Sequence, residues 1–190
     1  MSGEVVLRHV AIILIFMGVL AVPGLLAADS PKPRITEIHG QAKGREARVH
    51  FILRNAFSPE MVEALKSGIE VSFKTVVQVV RHHRNWFDSI VGQITVSRSV
   101  RYDALSRVYR LNRSEGQELL PDIFTALAGM TRYEVVVPLE YDVVRGKRYY
   151  AQVRTRLDKV GLSEPLRSIL FFSRLWDVET EWARGEIHAP

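Results

Sequence analysis

Cysteine is absent from this 190-residue chain, which excludes disulfides, thiolate catalysis, cysteine metal sites and a lipidated N-terminal cysteine. The domain must hold together by packing. Compact chemical motifs are missing as well: there is no GxSxG to set a serine on a strained turn, no HExxH and no glycine-rich phosphate loop. No nucleic-acid-binding motif occurs, so nucleic acid is not expected as a partner. What is present is an ordinary globular composition, 47% hydrophobic and 25% charged, enough for one domain with its own core.

One long apolar run stands out. "VAIILIFMGVLAVPGLLAA", from Val10 to Ala28, follows Arg8 and His9, carries no charge, breaks at Pro23-Gly24 and ends in small residues. That order is an export signal. Residues 1–28 are therefore expected to be a signal peptide or an N-terminal membrane anchor, and 29–190 the exported domain. Cleavage after Ala28 is the favoured reading. An uncleaved anchor stays open, because Leu26 is large for a cleavage site and the run is close to the roughly 17–25 residues that span a bilayer. Glu4 and Arg8 cancel, so the exported part keeps the net charge of +5. Such an excess serves solubility, or rests against anionic lipid or an acidic partner.

Period-two alternation dominates the rest. "RVHFILR" puts Val49, Phe51 and Leu53 on one face, and "GIEVSFKTVVQVV" does the same with Ile69, Val71, Phe73, Val77 and Val79. Between them "SPEMVEALKSG" carries helix signals, with Ser58 as N-cap, Pro59 in the first turn, Gly68 past the end, and Val62 and Leu65 expected inward. "RHHRNWFDS" reads as a polar turn with an aromatic plug at Trp86 and Phe87. In "GQITVSRSVRYD", Arg98 falls in phase with Ile94, Val96, Val100 and Tyr102; either the strand bends there or Arg98 is buried beside a carboxylate. "ALSRVYRLN" is also strand-like. A second helix is expected over "PDIFTALAG", from Pro121 to Gly129.

"RYEVVVPLEYDVV" and "KRYYAQVRTRLDK" flank Arg145-Gly146 and read as a hairpin of moderate strength. Tyr133, Val135, Val137, Leu139, Tyr141 and Val143 alternate inward in the first arm; Tyr149, Ala151, Val153 and Leu157 do so in the second. Pro138 restricts the first arm to pairing on one side. In the tail, Trp176, Val178, Thr180 and Trp182 alternate against Asp177, Glu179 and Glu181, as a last strand would. The fold expected is mainly β, an antiparallel sandwich of immunoglobulin-like architecture with two short helices.

The stretch "FILRNAFSPEMVEALKSGIEVSFKTVVQVVR", then Trp86 and Asp88, then "RYDALSRVYRL" and the tryptophan-bearing tail, resembles a family of exported bacterial proteins defined as a domain of unknown function. The resemblance covers most of residues 33–184. It implies a protein of the periplasm or of the periplasmic face of the inner membrane, often encoded near a sensor kinase of the nitrogen-regulation type. It supplies no catalytic residues.

His39, His50, His82 and His83 lack the spacing of a metal site and read as solvated turn histidines. Asp88 and Asp103 stand beside aromatics, and Asp88 suits a turn. No cofactor is expected. The candidate interaction surface combines Arg148, Arg154 and Arg156, on the outward face of a strand, with the aromatic and arginine cluster of Phe171, Phe172, Arg174, Trp176 and Trp182. Tryptophan beside arginine suits a membrane interface or partner groove, and equally the cap of a core. The reading is a non-catalytic accessory or interaction domain, its partners a sensor kinase or other envelope protein, or an anionic membrane surface. The alternatives are a carrier of lipid or another apolar ligand, with a deep pocket beneath the first helix, and, less favoured, an unrecognised hydrolase.

Overall fold

The computed structural model describes residues 31–158 and 178–189. Strands β1 (Arg34–Lys43) and β2 (Glu46–Arg54) open the chain as a hairpin, and β2 buries Ala47, Val49, Phe51 and Leu53 while Arg48 and Arg54 face out. Helix α1 (Pro59–Lys66) follows. Ser58 accepts from the Met61 N–H at 3.3 Å, and Pro59 occupies the first turn, where no donor is lost. At the other end Ile69 N–H donates to Ala64 and Gly68 N–H to Leu65, both at 3.0 Å, around Gly68 at φ +84°. This is a Schellman ending, which requires the left-handed conformation that glycine adopts without strain. Leu65 is buried as expected, but its inward companion is Met61 and Val62 is only half-buried.

Then come β3 (Val71–Arg81), β4 (Ser89–Asp103), β5 (Val108–Arg113), β6 (Gly116–Leu120), helix α2 (Ile123–Thr131), β7 (Arg132–Pro138), β8 (Tyr149–Leu157) and β9 (Ala183–His188). The nine strands make one mixed sheet in the order β6-β5-β4-β3-β8-β9-β1-β2-β7, antiparallel except for β1 with β9. The described residues are mainly β with two short helices, as expected, but an immunoglobulin-like sandwich is not confirmed. Each strand is hydrogen-bonded to its neighbours in one continuous ladder, which leaves none of the described strands for a separate second sheet.

Three other expectations change. Helix α2 starts after Asp122, whose carboxylate accepts from Thr125 N–H at 2.9 Å, and runs through Gly129 to Thr131. The anticipated hairpin across Arg145-Gly146 does not form. β7 pairs with β2, from Glu46↔Pro138 to Ile52↔Arg132, whereas β8 pairs with β3 and β9. The residues after Pro138 leave the ladder, because Leu139 N–H donates to Arg45 and Glu140 N–H to Val91, each at 2.8 Å. The last strand is β9 rather than the stretch from Trp176 to Trp182; Val178 and Thr180 are buried beside β8, with Leu157 N–H donating to Val178 and Thr180 N–H to Thr155. Trp176 lies outside the described residues.

The sheet coils until its edge strand β7 meets β4. Val91 is the extra residue of a bulge opposite Val79 and Val80, and its carbonyl, released from the ladder, receives Glu140. Gly92 permits the approach: a Cβ there would stand 2.5 Å from the Pro138 carbonyl oxygen. Pro138 ends β7 on the sheet edge, where a missing N–H costs no ladder bond. Enclosed by the coil are Phe51 stacked on Tyr133 at 4.6 Å, with Phe73, Leu65 and Met130.

Arg98 is buried, one of the two outcomes its phase allowed, but its partners are carbonyls and not a carboxylate. Its guanidinium donates to Gly129 O at 2.8 Å and to Arg132 O, and lies 3.8 Å from the centroid of the Tyr133 ring. Those carbonyls belong to the C-terminal end of α2, where unpaired oxygens and the helix dipole favour a cation. Desolvation pushes the Arg98 pKa down from its ordinary value.

Candidate functional site

At one end of β3 and β4 the turn 82–88 meets the turn that precedes β8. His82 N–H donates to the Arg148 carbonyl at 2.9 Å, joining them. Asp88 locks the turn from within: its carboxylate accepts from the His83 N–H, the His82 ring and the Tyr150 hydroxyl, each at 3.0 Å. The amide bond from His83, aided by the other two, holds the Asp88 carboxyl below its usual range. Asp88 is thus a turn residue of the kind its sequence position suggested.

The aromatic pair in this turn is no plug. Trp86 and Phe87 are 78% and 84% exposed, their rings edge to face at 6.1 Å. Val79, Val80 and Val91, in the two strands that the turn joins, are buried without them. Beside them Arg81, His82, His83, Arg84, Gly146, Lys147 and Arg148 line an open cleft of ≈ 620 Å³. Basic side chains and exposed aromatics therefore share one tip.

The expected surface divides. Arg148 belongs to this tip cleft. Arg154 is ion-paired with Glu179, and Arg156 lies exposed opposite Lys74, with a backbone bridge to Glu179. Opposite charges thus meet beside β8 at Arg154 and Glu179. Trp182 is 39% exposed, some distance along the chain from the tip turns. Phe171, Phe172, Arg174 and Trp176 lie outside the described residues.

Among the described residues, hydrolase geometry does not assemble around a single imidazole. His83 Nε2 is 3.0 Å from Ser89 Oγ, yet Asp88 orients the ring of His82 instead. Beneath α1, where a carrier would be hollow, the Met61 and Leu65 side chains are fully buried. His39 and His50 prove to be strand residues, paired across β1 and β2 with rings stacked at 5.3 Å. Among the described residues no group of His, Asp and Glu could hold a metal ion, and no helix is long and apolar enough to cross a membrane.

Reasoning from sequence missed the exposure of Trp86 and Phe87. A signal was available, since neighbouring aromatics in a turn flanked by Arg84, Asn85 and Asp88 cannot both reach one buried face. Fold and tip together describe a mainly β domain with a basic, aromatic end. The chain belongs to the family described as domain of unknown function DUF4390, which matches residues 30–186. No curated protein and no solved structure matches it.

Proposed function

We propose that this protein is a non-catalytic accessory domain of the bacterial envelope that docks on an anionic membrane surface through the tip formed by residues 82–88 and 144–148. The observation that carries this reading is the exposure of Trp86 and Phe87 beside Arg84, Lys147 and Arg148. Aromatics of this kind settle at the headgroup level of a bilayer. Burying such a ring contributes about 1.5–3 kcal/mol, and each basic side chain near an anionic surface about 1 kcal/mol. Neither contribution suffices alone; paired signals are what hold a peripheral protein. The export signal read in residues 1–28 would bring the domain to the periplasmic face of the inner membrane, within reach of a membrane sensor kinase or another envelope protein. The burial of Met61 and Leu65 beneath α1 argues against a carrier, and the division of Asp88 and Ser89 between two imidazoles argues against a hydrolase.

The absence of cysteine makes a clean test available. In the full chain, a single environment-sensitive fluorophore at Phe87→Cys should shift to the blue with phosphatidylglycerol vesicles. One at Leu105→Cys, 98% exposed in the turn after β4, should not. Equal responses at both positions would remove the tip from membrane docking.

A further inference from the structure

Among the described residues the cations of the tip cleft have no counter-charge. Arg81, Arg84, Lys147 and Arg148 form no ion pair with any described residue, and no acidic side chain lines the cleft. Asp88, in the same turn, already accepts from His82, His83 and Tyr150. Glu186 lines an adjoining cleft that shares His82, Lys147 and Arg148, again without an ion pair to them. The chain does not lack partners for its arginines elsewhere: Arg54, Arg110, Arg113 and Arg154 all have acidic neighbours. Like charges gathered around one concavity repel each other unless an anion joins them. The Asp88 clamp and the bond from His82 N–H to the Arg148 carbonyl fix both walls beforehand, so little ordering accompanies binding.

Resting on the docking reading above, we propose that this cleft is a binding site for the phosphate of an anionic lipid headgroup. Guanidinium forks match phosphate oxygens with paired hydrogen bonds, and lysine adds a mobile point charge. Trp86 and Phe87 belong to the same turn as Arg84, so rings seated among the headgroups carry the cleft to the depth of the phosphates. The tip thus reads two features of a membrane, an apolar boundary and a phosphate layer.

The test uses the full chain with a fluorophore at Asn85→Cys, titrated with phosphatidylglycerol vesicles. Lys147→Glu with Arg148→Glu should raise the lipid needed for half-response by about tenfold or more. The control, Arg101→Glu with Arg107→Glu, makes the same charge change on exposed residues toward the other end of β4 and should shift it by no more than about twofold, as screened long-range attraction allows. Neutral Lys147→Gln with Arg148→Gln should fall between, which guards against a folding artefact of the reversals. Inorganic phosphate should compete with vesicles better than chloride at equal ionic strength. Equal losses in the tip and control variants, or equal competition by phosphate and chloride, would overturn the site while leaving docking intact. Trp86→Ser with Phe87→Ser should abolish the vesicle response yet keep the fluorophore's response to inorganic phosphate. A vesicle response surviving that change would sink the docking reading itself. A phosphate response in a chain that never responds to vesicles would assign the cleft to a soluble anion and overturn the lipid proposal.

Discussion

Arg98 and the arginines of the tip carry the same side chain into opposite circumstances. Arg98, on the inward face of β4, is surrounded by the Gly129 and Arg132 carbonyls and the Tyr133 ring. Arg84 and Arg148, by contrast, line an open cleft with no ion-pair partner among the described residues. A charge withdrawn from water must have its donors satisfied, so the interior end is built around Arg98. A charge left in water has no such requirement. Its clustering beside exposed rings therefore points outward, to something the chain itself does not provide.

Stability measurements can break this comparison at its strongest point. Arg98→Ala would orphan the carbonyls at the end of α2 and remove the cation from the Tyr133 ring. A loss of about 3 kcal/mol is expected in urea unfolding, whereas Arg148→Ala should stay within about 0.5 kcal/mol of the parent. Similar effects at both positions would erase the distinction between structural and available arginines.

The meeting of β4 with β7 should be the next most sensitive feature. Gly92→Ala forces a methyl against the Pro138 carbonyl, and overpacking of this kind costs about 2 kcal/mol. An unchanged midpoint would mean that the coil relaxes freely there. Gly68→Ala should cost about 1 kcal/mol through its left-handed conformation, with no effect on vesicle binding at the tip.

The smallest effect expected is on pH dependence. Arg110, together with the Ser106 and Leu105 amides, holds the Asp103 carboxyl down to about 2, from an ordinary value of 3.8. A depressed acid contributes stability above its unfolded pKa and loses it as pH falls through the folded one. Asp103→Asn should therefore flatten the decline in melting temperature between about pH 4 and 2. Because Asp103 lies at the surface, the change should be slight. The exposed Asp88 clamp loosens in the same acid direction, so vesicle docking should be compared with stability across that range.

Legibility in the sequence followed the range of the interactions concerned. The cap at Ser58, the ending at Gly68 and the alternation of β2, β3 and β8 arise within a few residues of chain, and the sequence shows each of them. The odd phase of Arg98 was visible too, yet not its partners, because Gly129 and Arg132 approach β4 only through the path of α2 and β7. The arginine candidates were legible as an outward alternation. What separated Arg148 from Arg154 was the arrival of Glu179 beside one and of the 82–88 turn beside the other.

By itself, then, the sequence determined a cysteine-free, mainly β domain with two short helices, since patterning and caps depend on neighbours along the chain. Tertiary structure alone decided that β7 pairs with β2 and not with β8, that the strands form one coiled sheet, and that Trp86 and Phe87 stand in water. Strand partnership is a competition among distant edges, decided by which apolar faces can be buried together, and a turn signal such as Arg145-Gly146 is worth too little to win it. Exposure of Trp86 and Phe87 follows from that outcome, because pairing of β3 with β4 puts both rings in the connecting turn while the valines of the two strands are buried without them.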